Sequence, residues 1–146
     1  MMKSFNLKLL FPVTVLMAFL FTSCGNNPDK SAKLLDKGIE YYYHSQFKRA
    51  LQLFEQAIDE DSDNFEAWFW TGNYYENFRK HNKAIEAYNK AIEINPRYAD
   101  AYANRALAKK RTGDKEGACA DWHKAAGLGK ANLEDNLKWC SHQETK

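Results

Sequence analysis

Equivalent residues recur every 34 positions through the middle of this chain. Gly38 and Gly72 form one such pair, and Ala50, Ala84 and Ala118 form a set, as do Phe54, Tyr88 and Trp122, and Ala57, Ala91 and Ala125. A fixed period of this length marks a chain that stacks one supersecondary unit, no copy of which can bury its apolar face alone. Three units align without a gap, 31–64, 65–98 and 99–132. In the second, Trp68, Gly72 and Tyr75 stand at i, i+4 and i+7, one face of a helix, and Ala84, Ala87, Tyr88 and Ala91 repeat the pattern in a second helix. Small residues at 72 and 84 let two helices approach, and Trp68 and Tyr88 fill the space beside the contact.

Turn signals fall between these segments. Asn95-Pro96 closes one helix, Thr112-Gly113 closes another, and Asp114 is placed to cap the helix that follows. Residues 131–142, with Leu133, Leu137 and Trp139 set among Glu134, Asp135, Asn136 and Lys138, read as an amphipathic helix covering the end of the stack. The expectation is seven helices and no sheet.

In residue type and spacing the pattern resembles the tetratricopeptide repeat. The second unit carries Trp68, Gly72, Tyr75, Ala84, Tyr88, Ala91 and Pro96 at that family's positions. The first has Leu34 for the tryptophan and Ser62 for the proline but keeps Gly38, Tyr41, Ala50, Phe54 and Ala57. The third has Tyr102, Ala106, Lys109, Ala118, Trp122 and Ala125, with Lys130 in place of the proline. The resemblance implies an all-α, right-handed solenoid of three helix pairs, with a capping helix and tail over 133–146.

The N-terminus has a different character. Lys3 and Lys8 precede an apolar stretch from Leu9 to Phe21, which ends at Thr22-Ser23-Cys24-Gly25. A positive flank, a short apolar run and small residues make a secretory signal. The run is shorter than the ~20 residues a spanning helix needs. The cysteine after Thr22-Ser23 resembles the bacterial lipoprotein box, although Phe21 stands where leucine is usual. That resemblance implies removal of 1–23, acyl chains on Cys24, and a lipidated tether over 24–30. Acyl chains contribute about 0.8 kcal/mol per buried methylene, so two or three would hold the protein on a membrane durably. The folded part is then expected in the bacterial cell envelope, facing the periplasm or the cell exterior. A plain signal peptide with an incidental cysteine is the alternative.

Removing 1–23 takes away Lys3 and Lys8 and leaves 19 basic residues against 19 acidic ones. A nucleic-acid binder would show a basic excess, so the overall balance argues against that class. The clusters Arg79-Lys80-His81 and Lys109-Lys110-Arg111 lie near helix ends, where cations are common. With Cys24 assigned to lipid, Cys119 and Cys140 remain, and an oxidising compartment favours their pairing, which would staple the capping helix down. The alternative leaves both as small buried hydrophobes that never pair. No second cysteine or histidine stands at metal-ligand spacing from either, so no metal is expected.

Catalytic patterns are missing. His44, His81, His123 and His142 are scattered, and neither G-x-S-x-G, H-E-x-x-H nor a phosphate loop occurs. Trp122 reads as the core aromatic of the third unit and Asp121 as its exposed neighbour. The expectation is a protein without enzyme activity or cofactor.

Binding remains. In the family the first helix of every unit lines a concave groove, and the resemblance carries that role to Leu35, Ile39 and Tyr42, to Phe69, Trp70, Asn73 and Asn77, and to Asn104, Leu107 and Arg111. Some members grip the terminal carboxylate of a chaperone tail. The corresponding positions here are Leu35, Ile39, Trp70, Asp100 and Asn104, which lack the cations such a grip needs. An aromatic surface with asparagines beside it suits burial of a partner's side chains while its backbone is hydrogen-bonded. Trp70 and Phe69 are the favoured anchors, because aromatic residues dominate binding hot spots. The resulting expectation is a scaffold or adaptor holding a peptide or helix of another envelope protein. Glycan or cell-wall binding, or self-association, are the alternatives.

Overall fold

A computed structural model describes residues 26–142; the expected signal segment 1–23, Cys24, Gly25 and the tail over 143–146 lie outside them. Seven helices follow one another: α1 (Pro28–Tyr43), α2 (Phe47–Glu60), α3 (Phe65–Asn77), α4 (His81–Ile94), α5 (Ala99–Thr112), α6 (Lys115–Gly127) and α7 (Glu134–Ser141). No strand occurs among the described residues. Each of α1/α2, α3/α4 and α5/α6 packs as a pair, and α2 against α3 and α4 against α5 join the pairs into a stack. The first helices of successive pairs, α1, α3 and α5, also touch in sequence, which creates a continuous inner face. This is the all-α solenoid expected from the period.

The glycines explain why the pairs close so tightly. A Cβ built at Gly72 would lie 2.4 Å from Cε1 of Tyr88, and one at Gly38 would lie 2.6 Å from Cε1 of Phe54. The aromatic ring of the second helix therefore rests on the bare backbone of the first. Phe54 and Tyr88 are fully buried, with Ala50, Ala57, Ala84 and Ala91 around them. In the third pair Trp122 packs among Ala106, Ala118 and Ala125.

Caps fix where the helices begin and end. Asn27 accepts from Lys30 N, Asn64 from Ala67 N and Asp114 from Gly117 N, each filling an orphan donor of the first turn. Gly113, at φ +91°, ends α5 in the left-handed conformation that a side chain resists. One buried cluster joins the first two pairs. Ser31 Oγ donates to Ala57 O over 2.7 Å, and Asn64 Nδ2 donates to Ser31 Oγ over 2.8 Å, so a single hydroxyl ties α1 to the end of α2 and the start of α3.

Three boundaries and environments differ from the sequence expectation. Pro28, Asp29 and Lys30 are the first turn of α1 rather than tether, because Asn27 caps them, its N–H donates to Glu60 O and Lys30 pairs with Glu60 at 2.6 Å. The capping helix is shorter than 131–142: Asn132 has φ +60° and Leu133 is the N-cap, so 131–133 form a bend that precedes α7 rather than part of the helix. Asp121 is not exposed. It is 5% accessible and receives a two-pronged grip from Arg105 (Nη2 to Oδ1, 2.6 Å; Nε to Oδ2, 2.8 Å), with Lys109 Nζ at 2.9 Å. Arg105 also donates to Asn89 on α4, so this network spans three helices. Removing one member of such a buried set strands the other charges at a cost of about 3–5 kcal/mol.

Cys119 of α6 and Cys140 of α7 are joined by a disulfide. The bond closes a segment of 21 residues, for which the chain-entropy account gives about 3 kcal/mol. It holds α7 over Trp122, whose ring meets Trp139 edge-on at 5.7 Å.

Gly72→Ala tests the packing directly. Alanine in an exposed helix would stabilise by roughly 1 kcal/mol, whereas here its methyl must displace Tyr88, a strain of about 1–3 kcal/mol. Chemical denaturation is expected to show net loss; a gain would mean that the ring does not sit on this backbone.

Candidate binding groove

The inner face is built from residues that the period places in register on α1, α3 and α5. Asp36, Trp70 and Asn104 share one level, Ile39, Asn73 and Leu107 the next, and Tyr43, Asn77 and Arg111 the last. Between them lies a groove of about 620 Å³, lined by Tyr42, Tyr43, Trp70, Asn73, Glu76, Asn77, Arg79, Tyr88, Asn104, Leu107 and Arg111.

Its floor is a fixed polar network. Asn73 Oδ1 accepts from the Tyr88 hydroxyl and from Asn104 Nδ2, both at 2.8 Å, and Asn73 O accepts from the Tyr42 hydroxyl at 3.3 Å. Accepting with Oδ1 turns the Asn73 amide nitrogen into the available donor, while Asn104 keeps its carbonyl oxygen as an acceptor. One donor and one acceptor side by side match the two polar groups of a peptide unit. Burial, and after it the negative charge of Glu76, pushes the Tyr88 phenol above its ordinary value, so it is held neutral as a donor. Tyr42 is raised in the same direction by burial and by Tyr43.

The walls are aromatic. Trp70 stacks on Phe54 at 6.2 Å and meets Tyr42 and Tyr43 edge-on at 5.5 and 5.8 Å. It is half-buried: one part belongs to the core between the first two pairs and another borders the groove. Tyr43, 73% accessible, and Leu107, 37% accessible, are large apolar side chains open to solvent. At the end of the groove where α3 and α5 finish, Glu76 engages both oxygens, one against His81 Nδ1 and the other against Arg111 Nη1 at 2.7 Å.

Seven of the expected groove residues line this space together: Tyr42, Trp70, Asn73, Asn77, Asn104, Leu107 and Arg111. Two do not. Leu35, 4% accessible, belongs to the core of the first pair, and Phe69, 8% accessible, packs against Tyr88 and Tyr98 in the second. Both sit one step around the helix from the inner face, toward the partner helix. Ile39 is half-buried against the first core cluster and does not line the groove. Tyr43, Glu76, Arg79 and Tyr88 line it without having been expected. For Tyr43 the signal was available, since it is the residue 34 before Asn77. Tyr88 reads as core in any sequence pattern, because only its hydroxyl reaches through.

Two models of the tetratricopeptide repeat match the chain, over residues 35–99 and 87–120, together more than half its length. The chain belongs to the tetratricopeptide-repeat family. Among relatives, it is 29% identical over 99 residues to RNA polymerase II-associated protein 3 of Xenopus tropicalis, a stretch covering 68% of this chain and 15% of that protein. This repeat chain thus matches only a small part of that relative. It is 41% identical over 61 residues to an uncharacterised protein of Methanocaldococcus jannaschii, covering 42% of this chain and 71% of the other. Among solved structures, it resembles the first repeat domain of Spaghetti (RPAP3) bound to the HSP90 peptide SRMEEVD. The TM-score is 0.77 at 23% identity, covering 82% of this chain and 97% of that one.

The neutral phenols of this repeat stack set its alkaline stability. The folded-state values of Tyr88 and of Tyr98, which burial and then Asp100 and Glu66 raise, lie above the value near 10 of an unfolded tyrosine. Their contribution is complete below about pH 10 and is lost as pH rises from there toward the folded values, because unfolding then releases protons. Thermal melts across this range are expected to fall, and Tyr88→Phe to flatten the fall; a decline unaltered by the substitution would contradict the assignment.

Proposed function

We propose that this chain is a non-catalytic interaction module, anchored by lipid at Cys24 in the bacterial cell envelope, that holds a peptide or helix of another envelope protein in its concave groove. The observation that carries the reading is the groove itself. A donor and an acceptor are fixed on its floor by Asn73, Tyr88 and Asn104, and aromatic walls stand on either side. An occupant's backbone can be hydrogen-bonded there while its side chains bury against Trp70, Tyr43 and Leu107. The likeness to a repeat domain that binds a peptide supports the mode of binding.

It does not extend to the grip on a chaperone tail. At the corresponding positions Leu35 is in the core, Ile39 is half-buried, Trp70 is aromatic and Asp100 is already paired with Lys130 at 2.5 Å. The disulfide between Cys119 and Cys140 supports an oxidising compartment, where such bonds persist. No described helix is long and apolar enough to cross a membrane, so in this reading attachment falls to the lipid on Cys24, which lies outside the described residues.

Cross-linking and pull-down from membranes, comparing the native chain with a Tyr43→Ala, Leu107→Ala variant, tests the reading. Both side chains are exposed, so the variant is expected to keep its helical circular dichroism and to lose one defined protein that the native chain captures. An unchanged set of captured proteins would overturn the groove. In a parallel arm, Cys24→Ser is expected to leave the membrane fraction; its retention there would overturn the anchor.

A further inference from the structure

The groove is not electrically even along its length. Arg79 and Arg111 both line it at the end where α3 and α5 finish. One carboxylate, that of Glu76, stands beside them. Its two oxygens are taken by His81 and by Nη1 of Arg111, and its side chain is only 11% accessible. That leaves Arg79 without a carboxylate partner among the described residues, and Arg111, 45% accessible in its side chain, with a second terminal nitrogen unclaimed. Lys80 adjoins Arg79 in the chain.

Two helix ends meet this region with opposite effect. α4 begins at His81 with no side-chain cap and no acidic residue in its first turn, and the carboxylate that meets its first residue is that of Glu76, already engaged by His81 and Arg111. α5 ends with Lys109, Lys110 and Arg111 in its last turn, which more than offset its negative end. Of those three, Lys109 is committed to Asp121 and Lys110 lies over Trp139 at 4.4 Å. Arg111 is the one turned to the groove. The other end of the inner face carries no such excess: Asp36 sits on the level of Trp70 and Asn104, and Asp100 and Lys130 neutralise each other.

Building on the groove-binding reading, we propose that the occupant is an acidic peptide segment. One of its carboxylates docks between Arg79 and Arg111, and a neighbouring apolar side chain packs on Tyr43 and Leu107. Arginine presents a planar fork suited to a carboxylate, and a guanidinium with a free edge is a ready partner. Tyr43 shares its level of the stack with Arg111, so an apolar and an acidic side chain a short distance apart on one extended segment reach both. The charge also sets polarity, since the acidic residue must lie toward the end where α3 and α5 finish. This site uses positions different from those at which some relatives hold a terminal carboxylate.

The test is a positional-scanning library of decapeptides, with free and amidated C-termini, presented to the full chain in detergent. The native chain is expected to select Asp or Glu over Gln at one position by on the order of tenfold, the effect of one charge-assisted contact. Arg79→Glu, at an exposed and unpaired residue, is expected to abolish or reverse that selection with an unchanged melting temperature, and Arg111→Gln to weaken it. Amidated peptides that keep the selection assign it to a side chain, as proposed. Selection confined to free C-termini would overturn the side-chain assignment. Binding with an aromatic preference but no acidic one would overturn the anion site and leave the groove standing. No binding by any decapeptide would overturn both. Capture of a random single-stranded DNA with the same dependence on Arg79 would replace the peptide site by a general polyanion surface.

Discussion

The first two helix pairs, and the groove they share, depend on an aromatic ring lying on a helix that has no side chain beneath it. Phe54 on Gly38 and Tyr88 on Gly72 leave no room for a methyl group. That closeness sets the separation of the helices in a pair. With the separation set, small side chains such as the fully buried alanines at 50, 57, 84 and 91 fit between, and the next pair can stack at the same spacing. The inner face is then a consequence. Residues 34 apart on α1, α3 and α5 come into line because each pair sets a small residue of its first helix, Gly38, Gly72 or Ala106, against a core aromatic of its second.

The same ring links the core to the groove. Tyr88 buries its aromatic body against Gly72 and sends its hydroxyl through to Asn73, which in turn fixes Asn104 on the neighbouring helix. A single side chain thus closes a helix pair and orients the polar floor. The third pair replaces the glycine by Ala106 and the tyrosine by Trp122, and it is reinforced by means the other pairs lack. Asp121, Arg105, Lys109 and Asn89 lock α4, α5 and α6, and the Cys119–Cys140 bond pins α7 over the exposed end.

The helix pairs and most of the inner face were legible in the sequence, because a 34-residue period of small and aromatic residues has one stacking solution. What was harder to read depends on distances between helices. Asp121 looks like a solvated neighbour of a core tryptophan until Arg105 and Lys109, one turn apart on another helix, are seen to converge on it. Leu35 and Phe69 lie at the margin of the inner face, where a small rotation of the helix decides between groove and core, and the bulk of Phe54 and Tyr98 decides for core. Trp70 serves both. The start of α1 was hidden because Asn27-Pro28-Asp29 reads as a turn, whereas Asn27 caps a helix that Glu60 holds in place.

The central claim is that the inner face, and not the outer one, meets the partner. A photoreactive amino acid placed at Leu107, and separately at Lys90 on the exposed side of α4, tests it in intact cells. The account predicts that the Leu107 position cross-links one defined protein through a contiguous segment while the Lys90 position does not. Cross-links from Lys90 with none from Leu107 would contradict it.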